Sequence, residues 1–111
     1  MQRHRGAAPN SHQAAGYTAT LHFLKAVQTA GTAEGSAVAE AMRQLRVSDF
    51  DVPDAAIRVD GQVMRQRYLA RVKAPEVSKN RSDIFEILET IPGELAWRPI
   101  AESACPTLRP G

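Results

Sequence analysis

The side chains of this 111-residue sequence that could hold a metal or move a proton are three histidines, one cysteine and a few closely spaced glutamates. His12 and His22 stand ten residues apart, almost three helical turns, and neither has a carboxylate one turn away, so metal-ligand spacing is missing. With His4 they read as solvated or packed imidazoles. Cys105 lies between Ala104 and Pro106 without a Cys-His-Asn neighbourhood. It is a free thiol or half of a disulfide to a cysteine outside this chain, because a lone cysteine supports neither an intrachain bridge nor a multi-cysteine metal site. Glu34 with Glu40, and Glu86 with Glu89, look like solvated faces rather than acid and base partners. A glycine-rich phosphate loop, a serine elbow and a dinucleotide fingerprint are all absent. No cofactor, metal or catalytic residue is therefore expected.

Tyr17 is the residue to connect with a ligand. A tyrosine near a helix start joins an apolar ring to a hydroxyl that can donate to a carboxylate, and free helix N–H groups nearby favour an anion. The competing reading makes Tyr17 the first member of an apolar stripe with Leu21 and Leu24.

Composition bounds what surrounds these residues. Hydrophobic residues make up 43% and charged residues 23%, close to globular averages, and one small domain of this length buries about 60% of its unfolded surface. The net charge of +2 is small. Arg43, Arg46, Arg58, Arg65, Arg67 and Arg71 are interleaved with acids, and only Tyr68 could stack a base among them, so nucleic acid is not an expected partner. No apolar run is long enough to cross a bilayer, and Met1-Gln-Arg-His-Arg-Gly6 lacks the apolar stretch of a secretory signal, so the chain as written is expected to stay where it is made.

The elements follow from periodicity. Pro9-Asn10-Ser11 offers a stop and two N-caps; Tyr17, Leu21, Leu24 and Val27, widened by Thr20, Phe23 and Ala30, then predict a helix over 12–30 closed by Gly31. Val38, Ala41, Met42 and Leu45 predict a second helix over 34–45 after the cap chemistry of Thr32 to Ser36. Ile57-Arg-Val59 before Asp60-Gly61 predicts a type I′ hairpin returning through Arg65 to Lys73, with Tyr68, Ala70 and Val72 on one face of a half-buried strand. Residues 82–91 fit a helix through Ile84, Ile87, Leu88 and Ile91, or a strand with Phe85, Ile87 and Ile91 on one face; periodicity alone leaves both open. Pro92-Gly93 ends this element, and Glu94 to Ala101 suits one helical turn around Trp97. Two helices and so small a sheet look like part of a larger α/β domain.

In succession these pieces resemble the substrate-binding proteins of ABC transporters, branched-chain amino acid type. Ala15-Gly-Tyr17-Thr-Ala, Leu24-Lys-Ala-Val27 and Ala30-Gly31 are similar to that family's helix. Arg58-Val-Asp-Gly61, Tyr68-Leu-Ala-Arg-Val-Lys-Ala-Pro75 and Ser78-Lys79 resemble its hairpin. Thr90-Ile-Pro-Gly93, Ala96-Trp-Arg-Pro99 and Glu102-Ser-Ala-Cys105-Pro resemble its closing segment.

The resemblance implies a partial type I periplasmic binding protein fold, α/β in class. Residues 12–106 would be the C-terminal portion of a leucine-binding-like domain, between a flexible segment 1–11 and a tail 107–111. It also implies a strand within 83–91, a place for Tyr17 on the cleft between two lobes, a small amino acid-like solute, ABC permease subunits as partners and a periplasmic location for the intact family. A small helical protein that dimerises through its apolar layer is the alternative.

Overall fold

The computed structural model describes residues 7–108. The first helix, α1, spans Ser11–Ala30. It starts there because Asn10 and Gln13 form a reciprocal capping box: Asn10 Oδ1 accepts from the Gln13 N–H at 2.9 Å and Gln13 Oε1 from the Asn10 N–H at 3.0 Å. It stops where Gly31 turns left-handed, at φ 68°, and its N–H reaches the Val27 carbonyl. The second helix, α2, spans Gly35–Gln44, with the Glu34 carboxylate accepting from the N–H groups of Ser36 and Ala37.

The face that α1 buries differs from the expected one. Ala14, Thr18, His22 and Ala26 are buried at intervals of four, whereas Tyr17, Phe23 and Leu24 lie 43–56% exposed. Small side chains let the two helices approach closely, and the seam closes on Ala26, Val38 and Ala41, flanked by Val27, Ala30, Met42 and Leu45. His22 can sit inside because its Nε2 is 2.8 Å from the Met42 carbonyl oxygen, so the imidazole is hydrogen-bonded across the helix pair.

Beyond α2 the chain folds on itself around a second small cluster, Val47, Val52 and Ala55, with Ile57 and Val63 against it. Backbone bonds in both directions join Val47 and Ala55. The Asp60-Gly61 hairpin forms, bridging Ile57 to Val63, but not as a type I′ turn. Only Gly61 has positive φ, at 85°, and its N–H bonds the Arg58 carbonyl while the Arg58 N–H bonds that of Gln62. That pattern is a type I turn followed by a glycine bulge. Asp60 keeps an ordinary backbone and grips the Arg58 guanidinium with both carboxylate oxygens, at 2.9 and 2.6 Å.

The return strand does not continue along this hairpin as expected. Past Met64 the chain turns away, with the Arg65 carbonyl accepting from Trp97 Nε1 at 2.8 Å and the buried Gly93 packed on the Met64 backbone. Strand β1, Arg67–Val72, pairs instead with β2, Phe85–Ile91, in an antiparallel ribbon, so the ambiguous segment is a strand. The loop between them holds a short 3-10 turn at Pro75–Val77 and is closed by Lys73 Nζ on Asp83 Oδ1 at 2.7 Å. A single helical turn, α3, covers Gly93–Ala96, and two further 3-10 turns follow at Ile100–Glu102 and Pro106–Leu108.

Both strands are exposed almost throughout, in contrast to the half-buried pattern expected for β1. The radius of gyration is 17.3 Å, against about 13 Å for a compact chain of this length, and the ribbon scarcely touches the helix pair.

Candidate functional site

Tyr17 stands in the second turn of α1 on the face turned towards the loop of residues 48–52. Its ring meets Phe50 edge-on, with centroids 5.1 Å apart and planes at 60°. The side chain is 43% exposed, so it is not the head of a buried stripe. The helix start is not beside it: Ser11 lies six residues back, about 9 Å along the axis at 1.5 Å per residue. The first-turn Gln13 N–H is already held by Asn10, which removes one of the free amides that the anion argument invoked.

The loop facing Tyr17 is tied to the same helix. Lys25 Nζ donates to the Ser48 carbonyl at 2.9 Å, and Asp49 Oδ1 accepts from the N–H groups of Asp51 and Val52, both at 2.8 Å. Burial pushes the Asp49 carboxyl up, yet the Val52 N–H, the Thr18 hydroxyl, the Asp51 N–H and the charge of Lys25 together hold it below the usual carboxylate range. Thr18 Oγ1 and Asp49 Oδ2 are both buried, and neither has a partner at good hydrogen-bond geometry. Phe50, Asp49 and Lys25 were not singled out from the sequence. Nothing local in the sequence ties Asp49-Phe50-Asp51 to α1.

Two larger cavities lie elsewhere, and Tyr17 lines neither. One, of about 450 Å³, runs between the helices and the 57–63 hairpin and is walled by apolar side chains such as Ala19, Met42 and Val63. The other, of about 490 Å³, lies between Pro53, Met64 and Pro92 and holds the ion pairs of Arg46 with Asp54 and Arg65 with Asp51.

The remaining chemistry-bearing side chains are dispersed. His12 is exposed on the first turn of α1 and His22 is buried against a carbonyl; His4 lies outside the described residues. Glu34 caps α2, Glu40 accepts from Gln44, and Glu86 pairs with Arg71 at 2.7 Å. Among the described residues no group of three or more His, Cys, Asp or Glu is arranged to hold a metal ion. Cys105 is an exposed free thiol, 3.1 Å from Thr107 Oγ1, a contact that lowers its pKa. No helix among the described residues is long and apolar enough to cross a membrane.

Residues 1–80 match the family model described as periplasmic binding protein. The chain belongs to the periplasmic binding protein family. It is similar in structure to a periplasmic binding protein from Burkholderia mallei, with a TM-score of 0.88 and 34% identity over 95% of this chain and 28% of that one. It is equally similar to a branched chain amino acid ABC transporter periplasmic ligand-binding protein from Burkholderia xenovorans, with a TM-score of 0.89 and 31% identity over 97% of this chain and 29% of that one. No curated protein matches it by sequence. The fold is thus a small α/β part of the periplasmic binding protein fold, and the chain spans under a third of the length of either solved protein.

Proposed function

We propose that this chain works as part of a solute receptor for an ABC uptake system, in the periplasm, and that its solute is an amino acid or a close relative of one. The observation that carries the reading is the match over 97% of the chain to the branched chain amino acid ABC transporter periplasmic ligand-binding protein from Burkholderia xenovorans. In such a receptor two lobes close on the solute by a hinge motion, and the closed surface is what a permease recognises.

Within this reading Tyr17 takes part in holding the solute. Its support is the exposed ring, which meets the ring of Phe50 edge-on. The helical dimerisation alternative has less support, because the apolar layer shared by α1 and α2 is spent on their own seam.

The test is titration calorimetry on the Burkholderia xenovorans protein with its matched segment replaced by this chain, against the common amino acids. Binding of at least one is expected, and Tyr17→Phe, which keeps the ring and deletes one donor to a charged group, should weaken it about tenfold or more, roughly 1.5–3 kcal/mol. Binding of no amino acid defeats the amino acid reading; unchanged affinity in the Phe variant removes Tyr17 from the site.

A further inference from the structure

Residues 49–52, which face Tyr17, form a closed turn. The Asp49 N–H donates to the Val52 carbonyl at 2.8 Å, and Asp49 Oδ1 accepts from the N–H groups of Asp51 and Val52, both at 2.8 Å. One residue thus ties the turn to itself through both backbone and side chain. Its flanks are anchored as well: Lys25 Nζ donates to the Ser48 carbonyl at 2.9 Å, and Val52 is buried with Val47 and Ala55. Phe50 stands at the tip, 62% exposed, with its ring against that of Tyr17. So exposed a ring is not held by its own burial, and its place depends on the turn that carries it.

The turn meets α1 through two adjacent pairs. Tyr17 touches Phe50, and the residue after Tyr17, Thr18, lies against the residue before Phe50, Asp49. Burial raises the pKa of the Asp49 carboxyl, and the Val52 N–H and then the Thr18 hydroxyl lower it, so hydroxyl and carboxylate are neighbours. Thr18 Oγ1 and Asp49 Oδ2 are both buried at an approach that falls short of a good hydrogen bond. Buried polar atoms need partners, and each of these is the polar atom beside the other.

We infer that Asp49 is a positioning residue for the solute site: its carboxylate closes the turn against Thr18, holds Phe50 at the edge of the Tyr17 ring, and so orders that ring before solute arrives. Asp49 acts through Phe50 and Tyr17 rather than by touching the solute. A side chain already held in place has no rotamer freedom to lose on binding, which is how a supporting shell adds affinity. The inference rests on the reading that Tyr17 takes part in holding the solute.

The experiment uses the hybrid Burkholderia xenovorans protein carrying this chain, labelled on its tyrosine rings. The NMR signals of Tyr17, identified by their loss in Tyr17→Phe, report the ring current of Phe50, and Phe50→Leu supplies their position without it. Calorimetry with an amino acid that the parent hybrid binds gives affinity. Asp49→Ala should move the Tyr17 signals most of the way to the Phe50→Leu position and weaken binding about two- to tenfold, the cost of ordering a side chain on binding. Asp49→Asn keeps Oδ1 as the acceptor of the turn and offers the Thr18 oxygen a donor, so it should keep both readouts close to the parent. Thr18→Val, similar in shape, attacks the contact from the helix side and should move the same signals the same way; it decides the matter if a melt shows that Asp49→Ala does not fold. Tyr17 signals that stay at the parent position in the folded variants overturn the inference. So do shifted signals with parent affinity where Tyr17→Phe weakens binding. Unchanged affinity in Tyr17→Phe defeats the reading of Tyr17 itself, and the positioning role with it, whatever Asp49→Ala does to the ring signals.

Discussion

At the scale of single residues, function and packing compete for the same few side chains, and Gly93 shows how narrow the room is. A Cβ built there would stand 2.2 Å from the Met64 carbonyl oxygen, a backbone atom that cannot swing aside. Beside this contact Trp97 donates to the Arg65 carbonyl and its ring lies 4.5 Å under the Arg67 guanidinium. Gly93→Ala should force the two segments apart at a cost of about 1–3 kcal/mol, the range of overpacking, and expose the indole. Trp97 is the only tryptophan, so its fluorescence should shift to longer wavelength in the variant. An unshifted spectrum and an unchanged melt would mean that Met64 yields easily. His22 and Thr18 carry the complementary lesson. Both are polar and stand outside the apolar stripe expected of this helix, yet their spacing of four with Ala14 and Ala26 is the buried line of α1.

At the scale of elements, the local signals that act within a few residues were legible and those that act across the chain were not. The helices stand within one residue of their expected ends because capping by Asn10, Glu34 and Gly31 is decided inside single turns. The 57–63 hairpin was placed correctly and typed wrongly, since Asp-Gly suits two turns and the choice falls to the Arg58 clamp on Asp60. That clamp has a pH signature. The side-chain bond from Arg58 holds the Asp60 carboxyl down at about 2, below its ordinary 3.8. A depressed carboxyl adds stability that is complete above the unfolded value and lost as pH falls from about 4 towards 2. Asp60→Asn should leave the hairpin less stable at neutral pH and remove this part of its acid sensitivity, read by chemical shifts of Gly61 and Gln62 during an acid titration. Identical titration curves for parent and variant would show that the clamp does not stabilise the turn. The partner of β1 was beyond reach for the opposite reason: pairing with 85–91, and the bulge at Leu88, depend on contacts across a loop, where alternation in either strand alone gives the wrong face for Ile91.

At the scale of the whole molecule, the buried apolar residues fall into two separate small clusters and the ribbon joins neither. Among the described residues no large side chain is completely buried, and many large apolar side chains that would hold a compact chain together stay in water. Cooperativity follows from shared burial, and segments that share little open separately. The 111-residue chain by itself should therefore show at least two opening units in native-state hydrogen exchange. Amides of β1 and β2 should exchange with protection close to that of free peptide, because a ribbon open on both faces has little to lose on separating. Amides in the middle of α1 and α2, around Ala26, Val38 and Ala41, should be slower, with the His22 bond to the Met42 carbonyl adding to the seam. Low denaturant should accelerate the ribbon first and leave the helix pair unaltered until a higher concentration. Mass-resolved exchange on pepsin fragments measures both, and a single free energy of opening across residues 11–91 would show that the helices and the ribbon are coupled through contacts stronger than those between them here.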